Sequence, residues 1–500
     1  MATFKLSDQQ QAIVDWVRTG KGNAIIEAVA GAGKTSTLVE VLKYMAGWVF
    51  LGAYNNRMGA ELKDKTKGMP KVKAGTFHSA GFGALMFRYK DIQVDAHKVR
   101  DIINGMIEND ENVEPFASFI NRIVGLAKDT GIGFFNQISD IEPWYALVDK
   151  FDLIDELPEH VSVEQGIQLA QQALRISNSN VKVIDFADMI YLVLINNIRM
   201  LQNDWVLIDE AQDTNPTRRA LAKKMLKPGG RLIAVGDPRQ AIFGFTGADN
   251  DALDQIRSEF GAITLPLTNT FRCPKAVVRH ANQWVSHIRA YDTNPEGEVI
   301  SAKFEDVFGD KSTYTFTPDD AIICRLNAPI VSLAFTLIRK GIPCRIEGRD
   351  IGTQLAALAG KWKVKTLDTL KTRLEKYLDR ETQKAMAQGK EQKAASISDR
   401  VNCLFVLIER GEEKHLDVAG LIDMIKGMFS DSTDKNVDPN LLTLSSVHKF
   451  KGLERKRIFL LGRGEYMPSP YARQAWQMEQ EINLIYVAVT RAQETLVEVD

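Results

Sequence analysis

Cysteine is scarce in this chain, which has only four in 500 residues: Cys273, Cys324, Cys344 and Cys403. No two of them form a Cys-x-x-Cys pair. The sequence therefore contains no zinc-ribbon or iron–sulfur motif, and four isolated cysteines do not indicate a disulfide framework. We therefore expect free, reduced thiols, which are typical of cytosolic proteins.

Long apolar runs and a surplus of positive charge are also missing. No run of about 20 apolar residues is present to span a bilayer, and the first residues, MATFKLSD, are not an apolar signal region. We expect a cytoplasmic protein without a membrane partner, in the host cytoplasm if the chain is viral. The net charge of -1 argues against a passive protein that coats nucleic acid by charge alone, although a local basic groove is compatible with it.

What is present is an ordinary globular composition, 45% hydrophobic and 25% charged. The length suggests roughly two to four compact units. Short β-branched runs alternate with helical patterns, which predicts an α/β fold with parallel strands. The predicted strands are 23–27, 48–53, 72–76, 204–209, 231–236, 262–267, 320–325, 441–445 and 456–461.

The strand pattern stops in two regions, about 83–185 and about 351–429. Amphipathic helical patterns predominate in both, so we interpret them as helical insertions into α/β lobes. In the second region, Gln388-Gly389 is a candidate turn between two antiparallel helices. Its crowded basic residues favour either a solvated helical hairpin or a basic surface that faces a duplex. They are Lys361, Lys363, Lys365, Lys371, Arg373, Lys376, Arg380, Lys384, Lys390 and Lys393.

Residues 28–35, AVAGAGKT, follow a predicted strand and open a predicted helix, which is the context of a P-loop. Gly31 and Gly33 let backbone N–H groups curl around phosphate oxygens, and the helix that follows points its positive end at the anion. We expect Lys34 to reach the β- and γ-phosphates and Thr35 to coordinate magnesium. The first position is alanine, where the general pattern has glycine. The predicted phosphate-binding residues are Ala30, Gly31, Ala32, Gly33, Lys34, Thr35 and Ser36.

A second apolar strand ends in two acids, Asp209 and Glu210. Asp209 can hold magnesium directly or through water, and Glu210 can orient and deprotonate an attacking water. Such a strand end is weak support alone, but together with the P-loop it predicts an ATP hydrolase that uses Mg²⁺. The long separation between Lys34 and Asp209 predicts an insertion between them.

Further motifs follow along the chain: LSDQQ at 6–10, TFHS at 76–79, DFAD at 185–188, DEAQD at 209–213, GDPRQAIFGF at 236–245, TFR at 270–272, SVHKFKGLE at 446–454 and YVAVTRA at 486–492. Their spelling and order resemble the UvrD/Rep helicases of superfamily 1A. The resemblance covers nearly the whole chain outside the two insertions. A chain this short fits a phage-type member of that family.

The resemblance implies roles around the nucleotide. Gln10 would read the adenine edge, Phe271 would stack on the adenine, and Glu454 would lie near the sugar. Gln240 would sense the γ-phosphate, and Arg272 would approach it. These roles come from the family, because a lone glutamine or arginine is usually a surface residue.

The resemblance also implies a finger residue and DNA contacts. Arg491 would be the arginine finger, a cation that can supply roughly 10³–10⁵-fold in rate in related NTPases. Thr76, His78 and His448 would lie at the DNA, and Phe245 would stack on a base. The family usually has tryptophan where Phe245 stands.

The implied architecture is two RecA-like P-loop NTPase lobes with parallel sheets, each lobe carrying a mainly helical insertion. We assign 1–84 and 186–265 to the first lobe, 85–185 to its insertion, 266–350 and 430–500 to the second lobe, and 351–429 to a small second insertion.

The implied function is an ATP-dependent 3′→5′ DNA helicase or translocase, which we expect to act as a monomer on single-stranded and tailed duplex DNA. Replication, repair or recombination proteins are candidate partners. Hydrolysis between the lobes would drive stepping and unwinding, with the catalytic residues Lys34, Glu210, Gln240, Arg272 and Arg491. Three alternatives stay open: a translocase that strips proteins from single strands, an ATP-switched nucleic-acid-binding protein, and a motor on RNA.

Overall fold

The computed structural model describes residues 6–158, 161–244, 251–387, 391–430, 438 and 440–500. The described chain forms two compact units. The first unit comprises the chain up to Ala28 together with Gly33–Leu267. The second unit comprises Val29–Ala32 and Thr268–Asp500.

The first unit alternates strands and helices around a sheet. Its helices are α1 (Asp8–Thr19), α2 (Lys34–Leu42), α3 (Asn56–Lys65), α4 (Phe77–Tyr89), α5 (Lys98–Asn109), α6 (Ala117–Thr130), α7 (Glu142–Lys150), α8 (Val163–Ser179), α9 (Asp188–Ile195), α10 (Pro216–Lys224) and α11 (Ala252–Phe260). Its strands are β1 (Ala24–Ala28), β2 (Val49–Ala53), β3 (Val72–Thr76), β4 (Gln93–Val94), β5 (Val183–Ile184), β6 (Asn203–Ile208), β7 (Leu226–Gly236) and β8 (Ile263–Leu267).

The main sheet of the first unit has six parallel strands in the order β3-β2-β6-β7-β1-β8. The central strands are near-continuous apolar runs because helices cover both faces of a parallel sheet. The register pairs Glu27 with Gly236 and Gly52 with Ile208. The carboxyl ends of β1, β2, β6 and β7 therefore share one edge, where ligands bind in open α/β sheets.

The helical region of the first unit shares one buried cluster with the sheet. Phe119 and Trp144 belong to the same cluster as Ile25 and Phe50. Two short strands, β4 and β5, pair in parallel there, within a region that the sequence predicted to be mostly helices and loops. Two-residue strands are too short to leave a periodic pattern in the sequence.

A buried ion network joins α5, α6 and α9. Lys98 Nζ lies 2.7 Å from Asp188 Oδ2, and Lys128 Nζ contacts Asp188 Oδ1 at 2.7 Å and Asp185 Oδ2 at 2.5 Å. Burial lowers the pKa of Lys98, against the opposing effect of Asp188. Removing one partner of such a network leaves an uncompensated charge. The acidic stretch at 185–188 therefore anchors the helical region.

Asp129, the next residue after Lys128, connects this region to α10. It accepts a hydrogen bond from Asn215 Nδ2 at 2.9 Å. Burial raises its pKa to about 6, against the lowering effect of Arg218. Because the folded-state pKa lies above the ordinary value of 3.8, this group favours folding at low pH, and its contribution is lost as pH rises from about 4 through about 6.

We expect Asp129→Asn to stabilise the chain near pH 7.5, by up to about 3 kcal/mol. The amide oxygen still accepts from Asn215, and no charge has to be buried. Thermal unfolding at pH 4.5 and 7.5 measures the effect, and the gain should be larger at pH 7.5. The exposed Asp64→Asn is the control. An equal shift at both pH values would contradict the prediction.

The second unit contains the remaining elements. Its helices are α12 (Lys275–Ala281), α13 (Phe304–Phe308), α14 (Asn327–Arg339), α15 (Arg349–Gly360), α16 (Leu367–Ala387), α17 (Glu391–Glu413), α18 (Val418–Met428), α19 (Val447–Phe450), α20 (Arg463–Tyr466) and α21 (Ala475–Val489). Its strands are β9 (Asn269–Thr270), β10 (Arg289–Ala290), β11 (Glu298–Ala302), β12 (Asp320–Cys324), β13 (Cys344–Glu347), β14 (Phe429–Ser430), β15 (Leu442–Ser446), β16 (Arg455–Leu461) and β17 (Ala492–Val499).

Its main sheet has seven parallel strands in the order β11-β17-β16-β12-β15-β13-β14. Two parallel sheets, of six and seven strands, confirm the predicted α/β class and are consistent with two RecA-like lobes. The strands β11, β13 and β17 were not predicted. In β11 and β17 polar residues interrupt the apolar ones, which hides the continuous apolar run expected of a buried strand.

The long helices α16 and α17 pack on the second sheet. Leu370, Leu374 and Val401 belong to the same buried cluster as Ile322 and Leu444 of the strands. The carboxylate of Asp399 on α17 accepts the backbone N–H groups of Asn327 and Ala328, with 2.8 Å to Ala328, where α14 begins. This anion lies at a helix N-terminus, which stabilises both elements.

The basic residues of α16 form a solvent-exposed stripe. Arg373, Lys376, Arg380 and Lys384 are exposed and recur at helical spacing. The candidate turn at 388–389 lies outside the described residues. Both interpretations of this surface, a solvated face and a duplex-facing one, stay predictions, as do the boundaries between lobes and insertions. Within the described ranges, no helix is both long and apolar enough to cross a bilayer.

Candidate functional site

The P-loop of the first unit lies where β1 ends and α2 begins. Gly33 precedes the first helical residue with φ 76°, a left-handed conformation that favours glycine. Lys34 and Thr35 then open α2, so their backbone N–H groups stand at the positive end of the helix. The Thr35 hydroxyl donates to Asp209 Oδ2 at 3.3 Å. Ser36 is exposed on the first turn of α2.

The two predicted acids follow β6 and face this lysine. Lys34 Nζ lies 3.7 Å from Glu210 Oε2. Glu210 has φ 50°, an uncommon conformation for a residue other than glycine, of the kind that recurs at functional sites. Burial, and after it the charge of Glu210, raise the pKa of Asp209 to about 7, although Lys34 opposes both. The site therefore holds a buried carboxyl that a cation would keep ionised.

The donor set fits Mg²⁺. The Thr35 hydroxyl and the Asp209 carboxylate are hard oxygen ligands, which Mg²⁺ prefers. Among the residues that the structure describes, no group of three or more His, Cys, Asp or Glu side chains is placed to hold a metal. Mg²⁺ in nucleotide sites does not need one, because one or two protein oxygens, phosphates and waters complete its shell.

Gln240 lies in a buried network behind these acids. Its Nε2 donates to Asp237 Oδ2 at 2.7 Å, and the Asp237 N–H donates to Gln212 Oε1 at 3.0 Å. Gln212 Nε2 in turn donates to Glu210 Oε2. Burial raises the pKa of Asp237, which Lys34 opposes. The predicted γ-phosphate sensor is thus connected to the predicted base through Asp237 and Gln212.

Gln10 is fully buried and has two protein partners. Its Oε1 accepts the Ser7 N–H at 3.0 Å, in a capping box at the start of α1. Its Nε2 donates to Thr37 Oγ1 on α2 at 3.0 Å. This arrangement fixes the start of α1 against the P-loop helix. The role of Gln10 as an adenine reader stays a prediction.

The second unit brings its predicted nucleotide residues together. Arg272 forms an ion pair with Glu454 and donates from Nη1 to the Thr490 carbonyl at 3.5 Å. The neighbouring Arg491 is 1% exposed. Its Nε donates to the Val487 carbonyl at 2.9 Å and its Nη2 to Thr490 Oγ1 at 3.4 Å. The two arginines therefore lie on either side of one residue, Thr490.

The segment Val29–Ala32 packs with these residues in the second unit. The Phe271 N–H donates to the Gly31 carbonyl at 2.9 Å, and the Ala30 N–H donates to Tyr486 Oη at 2.9 Å. A Cβ on Gly31 would lie 2.5 Å from Arg272 Cβ. Glycine is therefore required at 31 by close packing as well as by its positive φ of 70°.

Phe271 presents an aromatic face in the second unit. It is 38% exposed, and its ring centroid lies 4.7 Å from that of Tyr291 at an interplanar angle of 45°. An aromatic ring held by a neighbour on one side and open on another is suited to stack on a nucleobase. The adenine contact of Phe271 stays a prediction.

We expect Phe271→Leu to raise KM for ATP by roughly 5- to 30-fold, which corresponds to about 1–2 kcal/mol of lost stacking. The value of kcat should change little, because the chemistry occurs at the phosphates. Steady-state hydrolysis against ATP concentration measures both. Phe304→Leu is a matched control, since Phe304 is also 38% exposed and has a tilted aromatic neighbour. A KM that Phe271→Leu leaves unchanged would contradict the prediction that Phe271 contacts the base.

Two family models match this chain. The model described as the UvrD/REP helicase N-terminal domain matches residues 6–261. The model described as the UvrD-like helicase C-terminal domain matches residues 356–498. The chain belongs to the UvrD/REP helicase family.

Individual relatives agree with this assignment. ATP-dependent DNA helicase PcrA of Bacillus subtilis is 22% identical over 98% of this chain and 81% of its own length. ATP-dependent DNA helicase srs2 of Schizosaccharomyces pombe is 26% identical over 67% of this chain and 44% of its own length. DNA helicase II of Escherichia coli is 22% identical over 69% and 51%. The chain thus spans about half the length of the last two relatives.

Two of the DNA contacts expected for this UvrD/REP family member are histidines with lowered pKa values. Burial, with the charge of Arg218, lowers the pKa of His78 to about 4. Burial, with Arg325 and then Lys451, lowers that of His448 to about 3. Both imidazoles are therefore neutral near pH 7, so they can approach a phosphate as hydrogen-bond donors but not as cations.

The structure describes one of the other two residues predicted to contact DNA. Thr76 is buried and caps α4, because its hydroxyl oxygen accepts the Ser79 N–H at 3.1 Å. Phe245 lies outside the described residues. Both DNA contacts stay predictions for this UvrD/REP chain.

Three residues that the structure places in the site were not predicted as site residues. Gln212 connects Glu210 to Asp237, and its place inside the DEAQD motif was the available signal. Tyr486 contacts Ala30 and opens the last motif. Arg218 lines a small cleft together with Asp209, Glu210 and His78, and no motif marked it.

Proposed function

We propose that this chain is an ATP-dependent DNA helicase or translocase that hydrolyses ATP to step 3′→5′ along single-stranded DNA and to unwind tailed duplexes. The observation that carries the proposal is the cluster at the ends of β1 and β6. There Lys34, Thr35, Asp209 and Glu210 lie within contact of one another. Membership in the UvrD/REP family supports DNA as the track.

In the proposed hydrolysis, Lys34 binds the β- and γ-phosphates and Glu210 accepts a proton from the attacking water. Lys34 Nζ lies 3.7 Å from the Glu210 carboxylate, so the proposed base and the proposed phosphate ligand are neighbours. Arg272 and Arg491 stabilise the charge that develops on the transferred phosphoryl group. Mg²⁺, held by Thr35 and Asp209, supplies electrostatic stabilisation to the phosphates when bound.

The proposed motion follows from differential affinity. ATP favours one arrangement of the nucleotide-binding residues and the products favour another, so each turnover shifts the population between two states. Because the two states bind DNA differently, the chain moves along the DNA in steps. Single-stranded and tailed duplex DNA are the proposed partners, and replication, repair or recombination proteins are candidates to load the chain as a monomer.

Steady-state ATP hydrolysis tests the proposal, measured alone and with single-stranded DNA, blunt duplex DNA or single-stranded RNA. Strong stimulation by single-stranded DNA, at a salt concentration held constant, is the expected result. Hydrolysis indifferent to all three would favour an ATP switch, and preferential stimulation by RNA would replace the proposed track.

Strand displacement then separates unwinding from translocation. Duplexes with a 3′ or a 5′ single-stranded tail, with and without a protein block on the tail, are followed over time. Unwinding of the 3′-tailed substrate alone supports the proposed helicase. Removal of the block without strand separation would instead identify a translocase that strips proteins.

A further inference from the structure

A side chain just after the catalytic acids connects them to an aromatic stack. Arg218 lies in the first turn of α10, and its Nη1 donates to the Asp213 carbonyl at 3.1 Å. Its guanidinium carbon lies 4.9 Å from the centroid of the Tyr54 ring. A guanidinium suits both contacts, because its donors lie in one plane and its faces can approach an aromatic ring.

The aromatic stack leads toward the predicted DNA contact. The Tyr54 ring lies nearly parallel to that of Phe243, with centroids 5.8 Å apart and planes 9° apart. Phe243 is three residues after Gln240 and two before Phe245, the predicted base platform. A displacement of Phe243 would therefore change the contact that Tyr54 makes with Arg218.

The other end of the connection is the catalytic turn. The Asp213 N–H donates to the Glu210 carbonyl at 3.0 Å, within a 3-10 turn. A shift of the Asp213 carbonyl is thus passed to the backbone of Glu210 over one hydrogen-bonded turn. Arg218 also lines the same cleft as Glu210, so its position affects the electrostatics there.

We propose that Arg218 is a positioning residue that couples DNA occupancy to ATP hydrolysis. In the absence of DNA, the stack holds Arg218, and through Asp213 holds Glu210, in a less productive arrangement. DNA that reaches the part of this cleft lined by His78, a predicted DNA contact, shifts the stack and lets Glu210 align. This inference rests on the proposed function, because it requires hydrolysis to respond to DNA.

The experiment compares basal and DNA-stimulated hydrolysis in Arg218→Gln, Arg218→Lys and the unmodified chain. We expect Arg218→Gln to lower the ratio of stimulated to basal kcat by roughly 2- to 30-fold, the range for residues that carry coupling. Arg218→Lys should lie between, because it keeps the charge but not the planar stack. Lys223→Gln, which removes an exposed charge from the same helix, should keep the full ratio.

A double-mutant cycle with Tyr54→Leu tests the path. If Arg218 acts through the stack, Arg218→Gln should lower the ratio much less in the Tyr54→Leu background than alone. Equal losses of basal and stimulated kcat in Arg218→Gln, accompanied by a lower unfolding temperature, would show a structural role and overturn the inference. So would a full ratio in Arg218→Gln, or fully additive effects in the cycle.

Different results would contradict the proposed function and the proposed role of Arg218. An unmodified chain that single-stranded DNA does not stimulate would count against the proposed function itself. An unmodified chain that is stimulated, together with an Arg218→Gln variant that is stimulated equally, would count only against the role of Arg218.

Discussion

Lys34→Ala is expected to reduce kcat for ATP hydrolysis by at least roughly 10²–10³-fold, the cost of removing one preorganised group that stabilises transition-state charge. Lys34 opens α2 and points to Glu210, 3.7 Å away. Its loss removes the cation for the β- and γ-phosphates. It also removes the charge that lowers the pKa of Asp209, so this pKa, already raised to about 7, should rise further.

Two controls separate chemistry from folding. Lys43→Ala removes a lysine at the other end of α2, where its only described ion pair is with Glu40 on the helix surface, and it should hydrolyse ATP normally. Circular dichroism of Lys34→Ala should match that of the unmodified chain, while its unfolding temperature should fall, because the Lys34 side chain is only 11% exposed and its loss removes a cation from beside buried acids. Hydrolysis by Lys34→Ala within about 3-fold of the unmodified rate would contradict the assignment of residues 28–35 as a P-loop.

The sequence was sufficient for elements that are buried on both faces. β1, β2 and β6 are near-continuous apolar runs, as expected where helices cover both sides of a parallel sheet, and each was predicted to within a residue or two. The acids and the P-loop could be placed together for the same reason. Residues that follow adjacent parallel strands meet at one sheet edge, so Lys34 and Asp209 converge despite their distance in sequence.

Side-chain environments could not be predicted in the same way. The sequence gives no signal that Thr76 caps a helix, that Gln10 closes a capping box, or that His78 and His448 are buried enough to be neutral. Each depends on which atoms lie nearby after folding. A motif names a residue type at a position, whereas its protonation and hydrogen bonds follow from burial and neighbouring charge.

Arg218 illustrates the same limit for function. Its neighbour Arg219 is also on α10, yet Arg219 pairs with Glu259 at 2.9 Å while Arg218 faces Tyr54 and the catalytic cleft. Successive positions on a helix point about 100° apart, so adjacent arginines reach different partners. Only the packing of α10 against the strand ends decides which of the two is next to the acids.

Arg491→Lys is expected to lower kcat by roughly 10³-fold or more, toward the range for loss of an arginine finger, with a much smaller effect on ATP binding. Lysine keeps the charge but has no planar fork. The Nε of Arg491 donates to the Val487 carbonyl and its Nη1 to the Leu453 carbonyl, and these bonds set the direction of the guanidinium. A lysine ammonium is a point charge that cannot satisfy both acceptors while facing a phosphate.

The conservative replacement matters because Arg491 is almost fully buried. Arg491→Ala would leave buried carbonyls without a donor, which costs about 1–3 kcal/mol each, and a loss of activity could then reflect partial unfolding.

Binding of a fluorescent ATP analogue and single-turnover hydrolysis should be measured on the same Arg491→Lys preparation. Arg279→Lys, at an exposed ion pair with Glu296, is the matched control. Tight binding with slow hydrolysis is the signature of a finger, because such a group acts mainly on the transition state. Normal hydrolysis would leave Arg491 with the role that its hydrogen bonds already describe, which is to join α21 to Leu453 inside the second unit.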